Sequence, residues 1–499
     1  MANTFAISRS HLMFGLCLPL AVLLGYMLAE PLDSTSLSVF ILIASVLAFP
    51  VLIKCHHPLL IFSWNACITP FFIPGRPALW MLLAGLSLFL AVLQRSVSER
   101  GRFLQVPTVT RPLLCLLLVV VATALVTGGF GNRVFGSRTY GGKGYFVIGA
   151  AVMGYFALTS QAIPRNRALL MVAVYLLAGV TAIVSNLVYM AGPKFYILYE
   201  LFPTDYAVSQ ANAESGLSGG LVRLAGLVMV AQAIFGYLLA RYGLRGVFDL
   251  SHPWRLVLML AAIFLSLYGG YRTSLVFFGL TFLVMFFMEG LWRTRVLPMA
   301  LGVGLLIAVP MVGFIDSMPQ SVQRTLSFLP LDIDPAVKQA AEDSTQWRLE
   351  MWKVLWPDVP KYLFKGKGYA LDAQSMYLLA QASLRGYTNS YEWAAYAGDY
   401  HNGLLSVVIP FGIYGLLAFL WFLAAGIRLL YRNFRYGDPW LRQVNAYLLA
   451  FFVARAILFF LVFGAFYSEL FHFTGALGLS VALNHGECRP GQEEGNPTD

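Results

Sequence analysis

The sequence predicts an all-α polytopic membrane protein of about 12–14 transmembrane helices with one long extracytoplasmic loop subdomain. Three observations carry that reading. Hydrophobic residues fill 59% of the 499 positions and charged residues only 12%, a balance that leaves too little charge to disperse a soluble chain of this size. The apolar residues fall in repeated runs of about 20, the length a helix needs to cross roughly 30 Å of hydrocarbon. Basic residues collect in alternate connections between those runs.

In chain order the apolar runs cover approximately 11–29, 35–53, 58–74, 77–94, 112–128, 144–163, 168–190, 221–240, 254–271, 273–289, 296–314, 402–427, 443–464 and 466–484. The weakest are 58–74, which carries Asn65, Pro70 and Pro74, and 466–484, which carries Glu469 and His472. Residues 1–314 thus read as a bundle of about eleven helices, 315–400 as the extracytoplasmic subdomain, 401–484 as C-terminal transmembrane helices and 485–499 as a disordered cytoplasmic tail. No small-residue cleavage site follows the first run, and Glu30-Pro31-Leu32-Asp33 reads as a turn, so that run is expected to remain as a helix.

Lys54, the arginines at 95, 100, 102 and 111, Arg165 and Arg167, the three at 241, 245 and 255, Arg293 and Arg295, and the four at 428, 432, 435 and 442 lie on one set of alternate connections. That set is expected inside, with both termini cytoplasmic. The net charge of +10 is then a topology signal and calls for no nucleic acid. None of the five cysteines lies in a long outer segment, so no disulfide framework is implied.

The same alternation places 129–143, 191–220 and 315–400 outside. The last is too polar to span and too long for a plain connector, and loops of that size commonly carry function. Within it, residues 344–356 read as a helix that ends before Pro357. On a helical wheel Glu350 and Lys353 share one side, and Trp347, Met351, Leu355, Trp352 and Trp356 spread over the other. Three tryptophans on an apolar side suit a helix in the headgroup region. Arg348 falls among them and needs either a phosphate partner or a packed stem with its charge snorkelled to water. The Gly366-Lys367-Gly368 turn that follows either presents N–H groups to an anion or simply reverses the chain.

His401 closes the outer segment. Of the seven histidines it alone is placed outside the membrane spans on the outer face, next to Asp399. An imidazole with an ordinary pKa near 6.5 can accept a proton from a hydroxyl at neutral pH; a helix-start histidine bonded to a carbonyl is the structural alternative. Outward cations favour chemistry. Arg223 lies just inside a span, Arg272 sits in the tight outer turn Gly269–Ser274, and Arg133, Arg138 and Lys143 add positive charge outside, against the topology rule. Arginine at membrane depth costs several kcal/mol unless paired, and guanidinium forks fit diphosphate well.

The elements Ser344-x-x-Trp347-Arg348-Leu349-x-x-Trp352, Gly366-x-Gly368, His401-Asn402-x-x-Leu405 and Gly412-x-x-Gly415, in that order, resemble the O-antigen ligase and O-antigen polymerase superfamily, with supporting matches at Arg223 and Tyr271-Arg272-Thr273-Ser274. The resemblance implies a multi-pass glycosyltransferase of the bacterial inner membrane. It would move a glycan from a polyprenyl (undecaprenyl) diphosphate donor to a hydroxyl on a lipid or glycan acceptor outside the cytoplasm. It implies that Arg223 and Arg272 hold the diphosphate and His401 activates the acceptor, with Asp399, Arg348, Asn402, Arg133 and Arg138 in support. No cofactor is implied and no Asp-x-Asp pair in an outer loop offers a metal site, so arginines would neutralise the leaving group and attack would invert the anomeric centre. A ligase is expected first and a polymerase second. A flippase or other transporter is the rival from another class, but residues 1–240 and 241–484 lack the internal similarity that such proteins commonly show.

Overall fold

A computed structural model of the chain describes residues 18–19, 21–22, 25, 34–71, 73, 75–97, 103–131, 140–203, 223–385 and 390–490. The described residues are helical apart from turns and one isolated antiparallel bridge, Tyr140 to Leu371. The chain is a polytopic all-α membrane protein. It divides into two compact units, 1–56 and 57–499, and the site lies wholly in the second.

The helices used below are α1 (Ser34–Asn65), α2 (Leu79–Val97), α3 (Pro107–Val126), α4 (Lys143–Leu158), α5 (Arg165–Ala191), α6 (Ala225–Val247), α7 (Trp254–Tyr268), α8 (Arg272–Met288), α9 (Val296–Gly313), α10 (Gln320–Leu326), α11 (Pro335–Leu355), α12 (Ala373–Leu384), α13 (Ser390–Ala397), α14 (Gly403–Tyr436), α15 (Arg442–Leu461) and α16 (Phe466–Leu483). Among the described residues seven helical stretches are long and apolar enough to cross a membrane, in α2, α3, α5, α6, α9, α14 and α15, and α4, α7 and α8 are shorter apolar helices. No residue of α9 is fully buried; Val296, Met299, Ala300 and Val303 pack partly buried against the core, and most of the rest of the helix is exposed.

Two expectations change. The runs 35–53 and 58–74 are not two helices: one helix runs from Ser34 to Asn65 and stops short of Pro70, and the described residues between it and α2 are irregular. Most of the first run, 11–29, lies outside the described residues. The helix expected over 344–356 starts nine residues earlier, at Pro335, where the Asp334 carboxylate accepts from the Ala336 N–H at 2.8 Å and proline occupies the first helical position.

The bundle core is aromatic. Phe419, Phe452, Phe459, Phe466 and Phe473 from α14, α15 and α16 pack edge-to-face, with ring centroids 5.0–6.5 Å apart. In lipid such close packing, rather than escape from water, holds helices together. A Cβ at Gly403 would meet the Phe459 carbonyl at 2.0 Å, so glycine there lets α14 approach α15 directly.

The helix after the polar segment 315–400 is broken by its own sequence. Pro410 lacks an N–H and Gly412 adopts φ 67°, interrupting α14 two turns from its start. The connection 362–369 fills the gap: Lys367 and Gly368 donate to the carbonyls of Ile409 and Pro410 at 2.8 and 2.9 Å, and Ile413 donates to the Leu363 carbonyl at 2.7 Å. The polar segment 315–400 is thereby stitched into the apolar helix that follows His401.

Candidate functional site

His401 is set by its two neighbours. Asn402 caps α14, its Oδ1 accepting from the Leu405 N–H at 3.1 Å. Tyr400 is 1% exposed and its carbonyl accepts from Trp352 Nε1 at 2.9 Å. Between these anchors His401 adopts φ 48°, a left-handed conformation that only a few per cent of non-glycine residues take up. Strain of that kind persists where surrounding contacts over-determine it, and it clusters at functional sites.

The imidazole lies edge-on to Trp347, with ring centroids 5.3 Å apart, and 4.9 Å from the Phe463 ring. Its Nε2 is 3.8 Å from Asp399 Oδ2, beyond hydrogen-bond range. Its Nδ1 and Oδ1 of Asp399 are buried and make no hydrogen bond within the protein. Burial lowers the His401 pKa first, Asp399 raises it, and the positive charge of Arg348 lowers it; the result is below the usual imidazole value. The ring is therefore neutral at pH 7, as a general base requires.

The tryptophan-bearing face of α11 explains this enclosure. Met351 and Leu355 are buried against Tyr400, Leu405 and Ile409, while Trp347 and Trp352 are partly buried beside them. Two of the three tryptophans thus serve the His401 segment, and Trp356 alone is largely exposed. The wheel orders that side correctly, but its partner is protein.

Arg348, on the same helix, rests against the same Phe463 ring, its guanidinium carbon 5.9 Å from the centroid. Arg272 donates to the Ala341 carbonyl at 3.0 Å, and Arg324 to the neighbouring Ala340 carbonyl at 3.4 Å. Arg223 lies 5.7 Å from the ring centre of Tyr271, the residue before Arg272. The four guanidiniums converge closely enough to perturb one another. Burial lowers the Arg348 pKa first, followed by Arg272 and Arg223; burial, Arg223, Arg272 and Arg348 push Arg324 down to about 10. Among the described residues none of the four is paired with a carboxylate.

The sequence reading singles out Arg223, Arg272, Arg348, Asp399 and His401, and all five meet here. Arg133 and Arg138 lie outside the described residues. Asn402 is spent on the helix cap. The Gly366–Gly368 turn is no anion cradle: the N–H groups of Gly366, Lys367, Gly368 and Tyr369 go to Tyr362, Ile409, Pro410 and the Tyr145 hydroxyl. Arg324, 8% exposed on α10, is the residue missed. A basic residue in a nominally outer segment was the available signal.

Two spaces adjoin the cluster. A cavity of about 170 Å³ enters the bundle between α6, α8, α15 and α16; Tyr271, Phe277 and Phe463 line it, and Arg455 and Glu469 are paired on its wall at 3.1 Å. A wider groove of about 460 Å³ lies on the loop side, lined by Arg272, Ser327, Lys338 and Thr345 together with the carboxylates of Glu342 and Asp343, neither of which is within ion-pair distance of Arg272.

Residues 254–420 match the family described as O-antigen ligase. The matched segment contains Arg272, Arg324, Arg348, Asp399 and His401, and ends short of the Arg455–Glu469 pair. No curated protein matches the chain.

Proposed function

From the match of residues 254–420 to the family described as O-antigen ligase, we propose that this chain is a membrane glycosyltransferase of ligase type. It transfers a glycan from a polyprenyl diphosphate donor to an acceptor hydroxyl at the extracytoplasmic face of a bacterial inner membrane. The observation that carries the reading is the convergence of Arg223, Arg272 and Arg348 beside a neutral, strained His401, with no carboxylate among the described residues paired to the arginines. Half-buried like charges with no paired carboxylate among the described residues favour an anionic ligand of at least two charges. Diphosphate meets that need, and a largely apolar cavity and a polar groove adjoin the arginines, in keeping with a donor that has an apolar and a polar end.

In this reading the imidazole of His401 takes the proton of the acceptor hydroxyl as that oxygen attacks the anomeric carbon. The bond from that carbon to the phosphate oxygen breaks, and its electron pair stays on the departing diphosphate. The donor diphosphate carries two charges and the departing one gains another, so guanidiniums held in place bind the leaving group more strongly than the substrate. The attack comes from the face opposite the leaving group and inverts the centre.

Deleting the gene and measuring the glycan left on polyprenyl diphosphate tests the assignment. Long polymer accumulating on the carrier at the outer face is the expected result. Single repeat units there would make the protein a polymerase, and material trapped on the cytoplasmic side would overturn the transferase reading in favour of a flippase.

A further inference from the structure

Two of the four arginines dock on the helix that carries a third. Arg272 and Arg324 sit on the consecutive carbonyls of Ala341 and Ala340, with Arg223 beside them on Tyr271. Arg348 stands seven residues further along α11, about 10 Å at 1.5 Å per residue, where it shares the Phe463 ring with His401. Arg324 feels the charges of Arg223 and Arg272 before that of Arg348. If His401 receives the proton of the attacking hydroxyl, the anomeric carbon lies at the His401 end. The sugar-side phosphate then falls near Arg348, and the lipid-side phosphate toward Arg272, Arg223 and Arg324.

We propose that Arg324 is a further binding residue for the donor and grips the lipid-side phosphate of the diphosphate. The inference rests on the diphosphate reading above. Arg324 is 8% exposed, its one hydrogen bond is the long contact to Ala340, and no carboxylate among the described residues pairs with it. A buried guanidinium with most of its five donors unspent is incomplete without an anion. Because this phosphate is charged before and after the glycosidic bond breaks, Arg324 acts equally on bound donor and transition state. Its loss belongs in the Michaelis constant, not in turnover.

The test is the donor dependence of transfer by Arg324→Gln and Arg324→Lys in proteoliposomes, with direct titration of each by undecaprenyl diphosphate. Arg324→Gln is expected to raise the donor Michaelis constant by roughly tenfold or more with turnover within about twofold, and to weaken the titration in parallel. Lysine, which keeps the charge and loses the fork, should fall between. A correctly folded Arg324→Gln protein with wild-type donor affinity, or with reduced turnover at unchanged affinity, overturns the inference. Should the glutamine variant fail to fold, an unchanged titration by Arg324→Lys overturns it instead. Arg272→Gln is the reference: unchanged affinity in both variants would remove the diphosphate reading itself, whereas unchanged affinity at Arg324 alone would remove only this inference.

Discussion

Trp352 Nε1 donates a 2.9 Å hydrogen bond to the carbonyl of Tyr400, joining the helix that carries Arg348 to the residue before His401. That single bond helps fix both the left-handed turn at His401 and its distance from the arginines. Trp352→Phe keeps most of the ring volume and removes the donor. It should lower stability by about 1 kcal/mol and lower turnover with little change in donor affinity. Thermal unfolding in detergent beside steady-state kinetics checks this, and unchanged turnover would mean that the turn holds without the bond.

The pH dependence has a definite sign. His401 acts as a base only when neutral, and burial with Arg348 holds its pKa below 6.5, so transfer should fall only as pH drops below that value. Arg348→Gln removes a positive neighbour and should move the acidic limb upward. Asp399→Asn removes the one group that raises the pKa and should move the limb downward. The pH profile of kcat/KM for the three proteins decides the matter; a limb that does not move in either variant would detach both residues from the base.

The stitch across α14 can be cut at Gly412. Its φ of 67° disfavours any side chain, and a Cβ there would approach the Leu363 carbonyl to 2.6 Å. Gly412→Ala should destabilise the protein by roughly 1–3 kcal/mol through that strain and the displaced connection. Wild-type thermal stability in this variant would contradict the role given to the break.

Asn402→Ala separates folding from chemistry. Losing the cap should cost about 1 kcal/mol, with most of the activity retained at temperatures where the protein is folded. Abolished transfer in a folded, inserted Asn402→Ala protein would return Asn402 to the reacting groups.

The helices were legible because apolar runs of membrane length leave little choice of structure, and His401, Arg223, Arg272 and Arg348 because charge is conspicuous against such a background. What stayed hidden depends on distant pairings. The Gly366–Gly368 turn reads alike whether its N–H groups meet an anion or the broken strand of carbonyls at Ile409 and Pro410. Arg324 looks like an ordinary basic residue of a polar loop until α10 buries it beside Arg272. Asn402 looks like a partner of His401 until the helix starting at Gly403 claims its side chain. The pairing of Arg455 with Glu469 joins two helices whose sequences do not announce each other.

The central claim is that His401 performs the proton transfer for glycan release from a polyprenyl diphosphate. The most direct measurement is release of undecaprenyl diphosphate from a glycan-linked donor by purified protein in proteoliposomes containing acceptor, comparing wild type with His401→Ala. Acceptor-dependent release by wild type, and a loss of at least about a hundredfold in a variant that still binds donor, is the predicted result. Equal release by the two proteins would contradict it.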